Sequence, residues 1–307
     1  MKKYDYIVIG GGSGGIGSAN RAAMHGAKVL LIEGNEFGGT CVNVGCVPKK
    51  VMWQASDLLE SMKRDANGYG ISPQGITVDF KKLVDNREGY IRVLHGAYSR
   101  GLAGNGVETI KGYAQFVDNQ TVTVNGEQFQ GTHILIATGG RPCRLEVPGG
   151  EYAQNSDQFF ELTTLPKNPI VIGGGYIAAE IGGVMHGLGS NVSWAYRHNR
   201  PLRNFDEMLS NHLVELYQQD GIQMYAQFIP ASIEKVGETY TVHFENGESL
   251  TGDYVFFAGG RTPNVDNIGL EKTDVDLSPE GVVVVDKFQN TTAPGIYAVG
   301  DVIGKID

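Results

Sequence analysis

The sequence predicts an α/β fold made of two similar units, each a parallel sheet with helices and a small antiparallel β layer. Two observations carry this prediction. A short apolar run at residues 6–9 leads into a glycine-rich turn, a helical stretch and a second apolar run at residues 29–32. The same order of segments returns from residue 169 onward, and further short β-branched runs follow each copy. Apolar runs of this length, separated by helices, are typical of strands buried in a parallel sheet.

The first copy has the spacing of a dinucleotide-binding β-α-β unit. Gly10, Gly12 and Gly15 satisfy the pattern G-x-G-x-x-G directly after the first strand. These glycines let the backbone approach a pyrophosphate, and the N-terminus of the following helix favours its negative charge. Glu33 ends the second strand, where a carboxylate can hydrogen-bond a ribose hydroxyl. We therefore predict a Rossmann-like domain that binds a dinucleotide with a free ribose, such as FAD.

The second copy differs from the first where the acid should stand. A shift of 163 residues superimposes the glycines of the two copies, with Gly10 on Gly173 and Gly12 on Gly175. The same shift places Tyr196 on Glu33, and Arg197, His198 and Arg203 follow. An acid would repel a 2′-phosphate, whereas arginine pairs with one. The second Rossmann-like domain is therefore expected to bind NADPH; the alternative is that these arginines are ordinary surface charges.

Two cysteines, Cys41 and Cys46, lie among glycines, a proline and two lysines. A pair at this spacing can close a small disulfide, and a nearby ammonium would favour the reactive thiolate. The chain has only three cysteines, so it is no disulfide scaffold. We predict a redox-active pair, with two inert buried thiols as the alternative, and we expect Cys143 to be an incidental thiol.

Length and charge restrict the possible partners. The chain has 307 residues, enough for two domains, and a formal net charge of −9. The negative charge argues against nucleic acid or an anionic membrane as partner. No apolar run approaches the roughly 20 residues of a spanning helix, and the N-terminus lacks the apolar region of a secretory signal. We expect a cytoplasmic protein without a nucleic-acid, membrane or metal partner.

Residues 39–50, Gly-Thr-Cys-Val-Asn-Val-Gly-Cys-Val-Pro-Lys-Lys, resemble the redox motif of the flavoprotein disulfide reductases, and the resemblance extends along the whole chain. It implies that electrons pass from NADPH to FAD, then to a Cys41–Cys46 disulfide, and then to a disulfide substrate. The small neutral residues Gly17 and Asn20, with Arg21 beside them, favour the anionic glutathione disulfide. Members that reduce trypanothione or mercuric ion are the alternatives, as is a nucleotide-binding diaphorase or redox sensor without disulfide turnover.

The resemblance also implies roles for single residues. Cys46 receives electrons from the flavin, and Cys41 attacks the substrate disulfide. Lys49 stabilises the reduced flavin and pairs with Glu180. Tyr176 covers the flavin until the nicotinamide displaces it. Ser13 and Tyr98 are expected to contact the substrate. The alternative for Tyr98 is that it only packs its helix against the protein core.

The complete predicted binding sets follow from the same resemblance. The residues expected to contact FAD are Gly10, Gly12, Ser13, Gly14, Gly15, Glu33, Gly39, Thr40, Cys41, Lys49, Ala114, Thr138, Gly139 and Asp301. The residues expected to contact NADPH are Gly173, Gly175, Tyr176, Ile177, Glu180, Arg197, His198, Arg203 and Gly260.

The predicted domain order places an FAD-binding domain with the dithiol at residues 1–140 and an NADPH-binding domain at residues 141–263. Residues 264–307 return to the FAD domain. We predict helices over residues 54–66 and 80–103 and a strand near residues 109–117. The resemblance implies a further C-terminal domain, with the dimer interface and a histidine that serves as general acid, which this sequence does not include. A protein that includes this domain is expected to be a homodimer through it.

Overall fold

The computed structural model describes residues 1–72 and 74–304. The chain folds into two compact units. The first comprises Met1–Cys46, Gly89–Arg141 and Arg261–Asp307, and the second comprises Val47–Glu88 and Pro142–Gly260. Both units are of the α/β type, which confirms the predicted fold class.

The strands are, in chain order, β1 (Lys2–Ile9), β2 (Val29–Glu33), β3 (Glu108–Lys111), β4 (Gln115–Phe116), β5 (Thr121–Val124), β6 (Glu127–Ile136), β7 (Gly140–Pro142), β8 (Pro169–Ile172), β9 (Ser193–Tyr196), β10 (Gln223–Ala226), β11 (Pro230–Val236), β12 (Thr239–Phe244), β13 (Ser249–Gly252), β14 (Tyr254–Phe257), β15 (Arg261–Pro263) and β16 (Ile296–Ala298). The α-helices are α1 (Ser13–Met24), α2 (Gly39–Asn43), α3 (Cys46–Asp65), α4 (Phe80–Gly104), α5 (Ser156–Phe159), α6 (Tyr176–Gly187) and α7 (Glu207–Asp220). Short 3-10 turns cover Ala66–Tyr69, Gly150–Tyr152, Leu270–Lys272 and Asp301–Ile303.

The sheet of the first unit has the order β3-β2-β1-β6-β5-β4. Strands β1, β2 and β3 run parallel to each other and to β6, and β16 also joins β6 in parallel. On the side of β6 away from β1, its C-terminal half pairs with β16 and its N-terminal half pairs antiparallel with β5. The predicted antiparallel layer is therefore continuous with the parallel sheet. The central strands carry apolar side chains on both faces because each face contributes to its own buried cluster.

The second unit contains a parallel sheet with the order β10-β9-β8-β14 and a separate antiparallel sheet, β11-β12-β13. One buried cluster joins the two sheets. Ile170 and Val255 of the parallel sheet share it with Ile233, Val242 and Phe244 of the antiparallel sheet. This is the parallel sheet with a small antiparallel layer that the sequence predicts.

Two predicted elements have different bounds in the structure. The helix expected over residues 54–66 begins at Cys46, because Pro48 lies in its first turn, where the missing N–H has no helical partner. The strand expected near residues 109–117 is divided into β3 and β4. Gly112, with a φ of 158°, interrupts it, and its N–H donates to the Glu33 carbonyl. The helix predicted over residues 80–103 agrees with α4.

Replacing Gly15 with alanine is expected to destabilise the first unit. A Cβ at this position would lie 1.9 Å from the carbonyl oxygen of Gly10, and the backbone cannot move without opening the turn. We expect the free energy of unfolding to fall by at least about 2 kcal/mol, as in other overpacked cores. Urea unfolding of the nucleotide-free protein measures this change.

Gly17→Ala is the matched control on the same helix. A Cβ at Gly17 meets nothing within 4 Å, so this substitution should stabilise the helix by about 0.5–1 kcal/mol. Equal effects of the two substitutions would contradict the close contact between α1 and the glycine turn.

Candidate functional site

The two glycine turns have the same geometry. Gly10 follows β1 with a φ of 107°, and a Cβ on it would lie 2.2 Å from the Ala137 carbonyl oxygen. Gly173 follows β8 with a φ of 138°, and its Cβ would lie 2.3 Å from the Ala258 carbonyl oxygen. Only glycine permits this approach of two strand ends. The repeat seen in the sequence is therefore also a repeat in backbone geometry.

Each turn leads into a helix whose first N–H groups are available to an anion. The N-cap residues are Gly12 of α1 and Gly175 of α6, and glycine has no side chain that could accept from these donors. Together with the helix dipole, such donors favour a phosphate group. The two glycine turns, each followed by a helix start with unpaired N–H groups, thus fit the pyrophosphates of two dinucleotides.

Glu33 lies at the end of β2, beside the first cradle. Its carboxylate accepts from the N–H of Gly11 at 2.5 Å and from the N–H of Asn35 at 2.6 Å. These two bonds fix the carboxylate, and each oxygen keeps a second lone pair. The geometry fits the predicted hydrogen bond to a ribose hydroxyl.

The corresponding strand end of the second unit is cationic. Tyr196 is buried, and burial raises the pKa of its hydroxyl. Arg197 Nε and Arg203 Nη1 both donate to His198 Nε2, each at 3.1 Å. Since a guanidinium can only donate, Nε2 must accept, and the imidazole is neutral. Desolvation and the two arginine charges accordingly lower the pKa of His198.

These three residues, Arg197, His198 and Arg203, form what we call the cationic cluster. Among the described residues, neither arginine forms an ion pair with a carboxylate. Two converging guanidiniums without a carboxylate are suited to an added anion such as a phosphate. This arrangement favours the predicted nucleotide contact over the surface-charge alternative.

The cysteine pair lies in the first unit, with Cys41 in α2 and Cys46 at the first residue of α3. Both are free thiols in this structure. The pKa of the Cys41 thiol responds to the Cys46 thiol and to the Ser13 hydroxyl, so both groups lie beside it. The structure therefore brings together both predicted redox cysteines and one predicted substrate residue.

The prediction of a thiolate at the redox pair is wrong for Cys41. Burial, followed by the neighbouring thiol of Cys46, raises the pKa of Cys41 to about 11. The sequence-based expectation counted a nearby lysine but not the loss of solvent around the thiol. Lys49 instead donates to Glu180, with 2.7 Å between Nζ and Oε1.

Alkylation of the reduced, nucleotide-free protein should report this raised pKa. We expect the reaction rate of Cys41 with iodoacetamide to keep rising through pH 9 and to level off near pH 11, because only the thiolate reacts. Peptide mass spectrometry separates Cys41 from Cys46 and Cys143. A plateau at or below pH 9 would contradict the desolvation of this thiol.

The glycines around the cysteine pair allow close backbone contacts. Gly39 has a φ of 59°, and a Cβ on it would lie 2.7 Å from the Cα of Gly12. A Cβ on Gly45 would lie 2.8 Å from the Thr40 carbonyl oxygen. The redox loop is therefore packed directly against the first glycine turn.

One residue of this region, Arg261, was not predicted as a site residue. Its guanidinium donates to Thr40 Oγ1 at 3.3 Å and to the Gly140 carbonyl, and its Nε lies 3.5 Å from Asp301 Oδ2. It thus joins two predicted FAD contacts, Thr40 and Asp301. No local signal marks it, since its partners lie far away in the sequence.

The adjacent link is formed by Thr138 and Asn264. Thr138 Oγ1 donates to the Asn264 carbonyl at 2.7 Å, and Asn264 Nδ2 donates to the Thr138 carbonyl at 3.0 Å. Gly139 follows with a φ of 68°. The residues expected to contact FAD at this strand end are therefore held by reciprocal hydrogen bonds.

The second unit brings together the predicted pair Lys49 and Glu180. The Lys49 side chain is 17% exposed and that of Glu180 is 45% exposed. Tyr176, at the first residue of α6, lies one turn before Glu180 and is partly exposed. This end of α6 thus carries the predicted gate and the partner of the predicted flavin lysine.

Three other predicted site residues contact mainly the protein's own core or backbone. Tyr98 packs against a buried cluster of the first unit that includes Ile16 and Leu102, as its alternative role implies. The Ala114 side chain lies in the core, so its predicted cofactor contact could be made only through the backbone. Gly260 has a φ of 133°, and its carbonyl accepts from the N–H of Cys143.

No helix among residues 1–72 and 74–304 combines the length and apolar character needed to cross a membrane.

The comparisons with known proteins agree over the length of the chain. The sequence profile of the pyridine nucleotide-disulphide oxidoreductase family matches residues 4–307. A glutathione reductase of Schizosaccharomyces pombe is 41% identical over 318 residues, which span 100% of this chain and 68% of that protein. A glutathione reductase of Debaryomyces hansenii is also 41% identical, over 100% of this chain and 69% of that protein.

A solved structure extends the similarity to three dimensions. It is the Cu(II) complex of RclA, an HOCl-induced flavoprotein disulfide reductase from Escherichia coli. It superimposes with a TM-score of 0.89 at 26% identity, over 100% of this chain and 68% of RclA.

Proposed function

Since the chain belongs to the pyridine nucleotide-disulphide oxidoreductase family, we propose that it is an NADPH-dependent glutathione-disulfide reductase that works through FAD and the cysteine pair. The observation that carries the proposal is that the Cys41 and Cys46 thiols are adjacent and lie beside the first glycine turn, against which Gly39 packs. The full-length similarity to two glutathione reductases supports the choice of substrate.

The cysteines divide the reduction between them. The Cys41 sulfur, once deprotonated, attacks one sulfur of the substrate disulfide and releases the first glutathione thiolate, which takes up a proton. The Cys46 sulfur then attacks Cys41, releases the second glutathione and leaves a Cys41–Cys46 disulfide. Two electrons from NADPH and two protons restore both thiols. The raised pKa of Cys41 means that a base must take its proton before the attack.

The chain's own residues fit the two nucleotides. We propose that the first glycine turn holds the FAD pyrophosphate, that Glu33 bonds its ribose, and that Thr40 and Asp301 contact the flavin end. The chemistry that bound FAD supplies is the transfer of two electrons between NADPH and the cysteine pair. In the second unit the glycine turn at Gly173 would hold the pyrophosphate of NADPH.

Charge placement supports the remaining roles. The cationic cluster would pair with the 2′-phosphate of NADPH. The Lys49 ammonium would stabilise negative charge on the reduced flavin, with Glu180 holding its side chain in place. Tyr176 would cover the flavin in the absence of nicotinamide, and Ser13 and Tyr98 would contact glutathione disulfide.

We further propose that the active protein is a cytoplasmic homodimer. The low cysteine content and the acidic composition are compatible with a reducing cytoplasm. Size-exclusion chromatography with light scattering tests the dimer on protein that includes the implied C-terminal domain, and a monomeric mass would contradict it.

Steady-state kinetics test the proposed reaction. We expect NADPH oxidation that depends on glutathione disulfide and produces two glutathione thiols for each NADPH. An anaerobic NADPH titration should also show a long-wavelength charge-transfer band from the Cys46 thiolate beside oxidised flavin. Activity with dye acceptors but none with glutathione disulfide would overturn the proposal and leave a diaphorase.

A further inference from the structure

Asn43 ties the short helix α2 to the loop that precedes it. Its Nδ2 donates to the Gly39 carbonyl at 2.9 Å and lies 3.3 Å from the Glu36 carbonyl and 3.4 Å from that of Phe37. A helix of five residues is not stable without outside contacts. The position of α2 therefore depends on such side-chain ties. Because the amide nitrogen faces three carbonyls, its oxygen must point elsewhere.

His95 meets that oxygen from helix α4. Its Nε2 lies 2.6 Å from Asn43 Oδ1, and both residues belong to the first unit. An amide oxygen can only accept, so Nε2 must carry the proton. His95 is partly buried, which protects this bond from competition with water. The hydrogen bond therefore connects α2 to a helix of 25 residues.

Cys41 lies in α2, two residues before Asn43, and its thiol must reach Cys46 at the start of α3. The turn between the two helices is closely packed, since a Cβ on Gly45 would lie 2.8 Å from the Thr40 carbonyl oxygen. A shift of α2 would lower the effective concentration of one thiol about the other, and with it the stability of their disulfide.

We infer that His95 is a positioning residue of the redox pair: through Asn43 it holds α2 so that Cys41 and Cys46 stay in contact. The inference rests on the proposed function in that it takes the pair as a redox couple. The proposed role depends on the hydrogen bond that His95 donates to Asn43. A side chain with a donor of similar reach should therefore be able to replace His95, whereas a ring without a donor should not.

The thiol–disulfide equilibrium of the purified flavin-loaded protein tests this role. The protein is equilibrated without NADPH in buffers of glutathione and glutathione disulfide. Formation of the Cys41–Cys46 disulfide consumes one glutathione disulfide and releases two glutathione thiols. Acid quenching, alkylation and peptide mass spectrometry give the oxidised fraction of Cys41 and Cys46.

We expect H95F, which keeps a ring and removes the donor, to lower the equilibrium constant for disulfide formation five- to tenfold. A tenfold change corresponds to about 30 mV in the midpoint potential. H95Q, whose amide can donate to Asn43, should remain within twofold of the natural protein. H133F is the matched control, since His133 is exposed in the same unit and bonds Tyr297 instead.

An H95F constant within twofold of the natural protein would overturn the inference, as would equal losses in H95F and H95Q. If H95F does not fold, H95Q is compared with H95N, whose shorter amide cannot reach Asn43. Equal equilibrium constants for disulfide formation in these two variants would overturn the inference. A lower constant for H95N would support it. Failure of the natural protein to form the disulfide in any buffer would instead overturn the proposed function.

Discussion

Replacing Cys41 with serine is expected to lower the reduction of glutathione disulfide at least about a thousandfold while NADPH-dependent dye reduction continues. The serine hydroxyl is a far weaker nucleophile than the thiol and cannot form the mixed disulfide. The substitution exchanges one atom and should leave the glycine turns in place, because the close contacts of those turns are backbone contacts, such as that between Gly39 and Gly12. The two activities should therefore separate.

Two further variants make the result specific to the pair. C46S should lose disulfide reduction to the same extent, and it should also lose the long-wavelength band of the NADPH titration. C143S carries the same substitution at a thiol outside the redox motif and should keep both activities. A comparable loss in C143S, or turnover in C41S near that of the natural protein, would refute the assigned roles.

The sequence was sufficient for the features that depend on local pattern. The two β-α-β units, their glycine turns and the replacement of Glu33 by Tyr196 follow from short apolar runs and a fixed shift between the copies. The backbone confirms the geometry of both turns, since Gly10 and Gly173 have positive φ values and nearly equal clearances. Steric restrictions of this kind are visible in a sequence because only glycine satisfies them.

Features that depend on distant partners could not be predicted. His95 meets Asn43 across 52 positions, and Arg261 meets Thr40 across 221 positions. Neither pair leaves a periodic or compositional signal. The start of α3 was missed for a different reason. Gly45 and Pro48 indicate a turn locally, yet proline is compatible with the first turn of a helix.

The pKa of Cys41 is another property that local sequence could not predict. A lysine close in the sequence suggests a thiolate, whereas the pKa depends on burial and on where that ammonium points. In the structure the thiol is partly buried, which raises its pKa, and Lys49 forms its ion pair with Glu180. Sequence proximity therefore predicted the wrong protonation state for Cys41.

Removal of both arginines of the cationic cluster is expected to have the second-largest effect, on the choice of nucleotide. In R197Q/R203Q, kcat/KM for NADPH should fall at least about a hundredfold, because a charge-assisted hydrogen bond contributes about 1.5–3 kcal/mol and two are lost. The value for NADH, which has no 2′-phosphate, should change by less than about threefold. Steady-state kinetics with both nucleotides measure the switch.

The same variant has a readout that needs no nucleotide. Desolvation and the charges of Arg203 and Arg197 lower the pKa of His198, so removing both charges should bring it back toward its ordinary value of 6.5. An NMR titration of the imidazole follows this shift. R64Q is the control, since Arg64 is an exposed arginine of the same unit that pairs with Asp65. If R197Q/R203Q restores the pKa of His198 but keeps the preference for NADPH, the cluster exists as described and the 2′-phosphate is bound elsewhere.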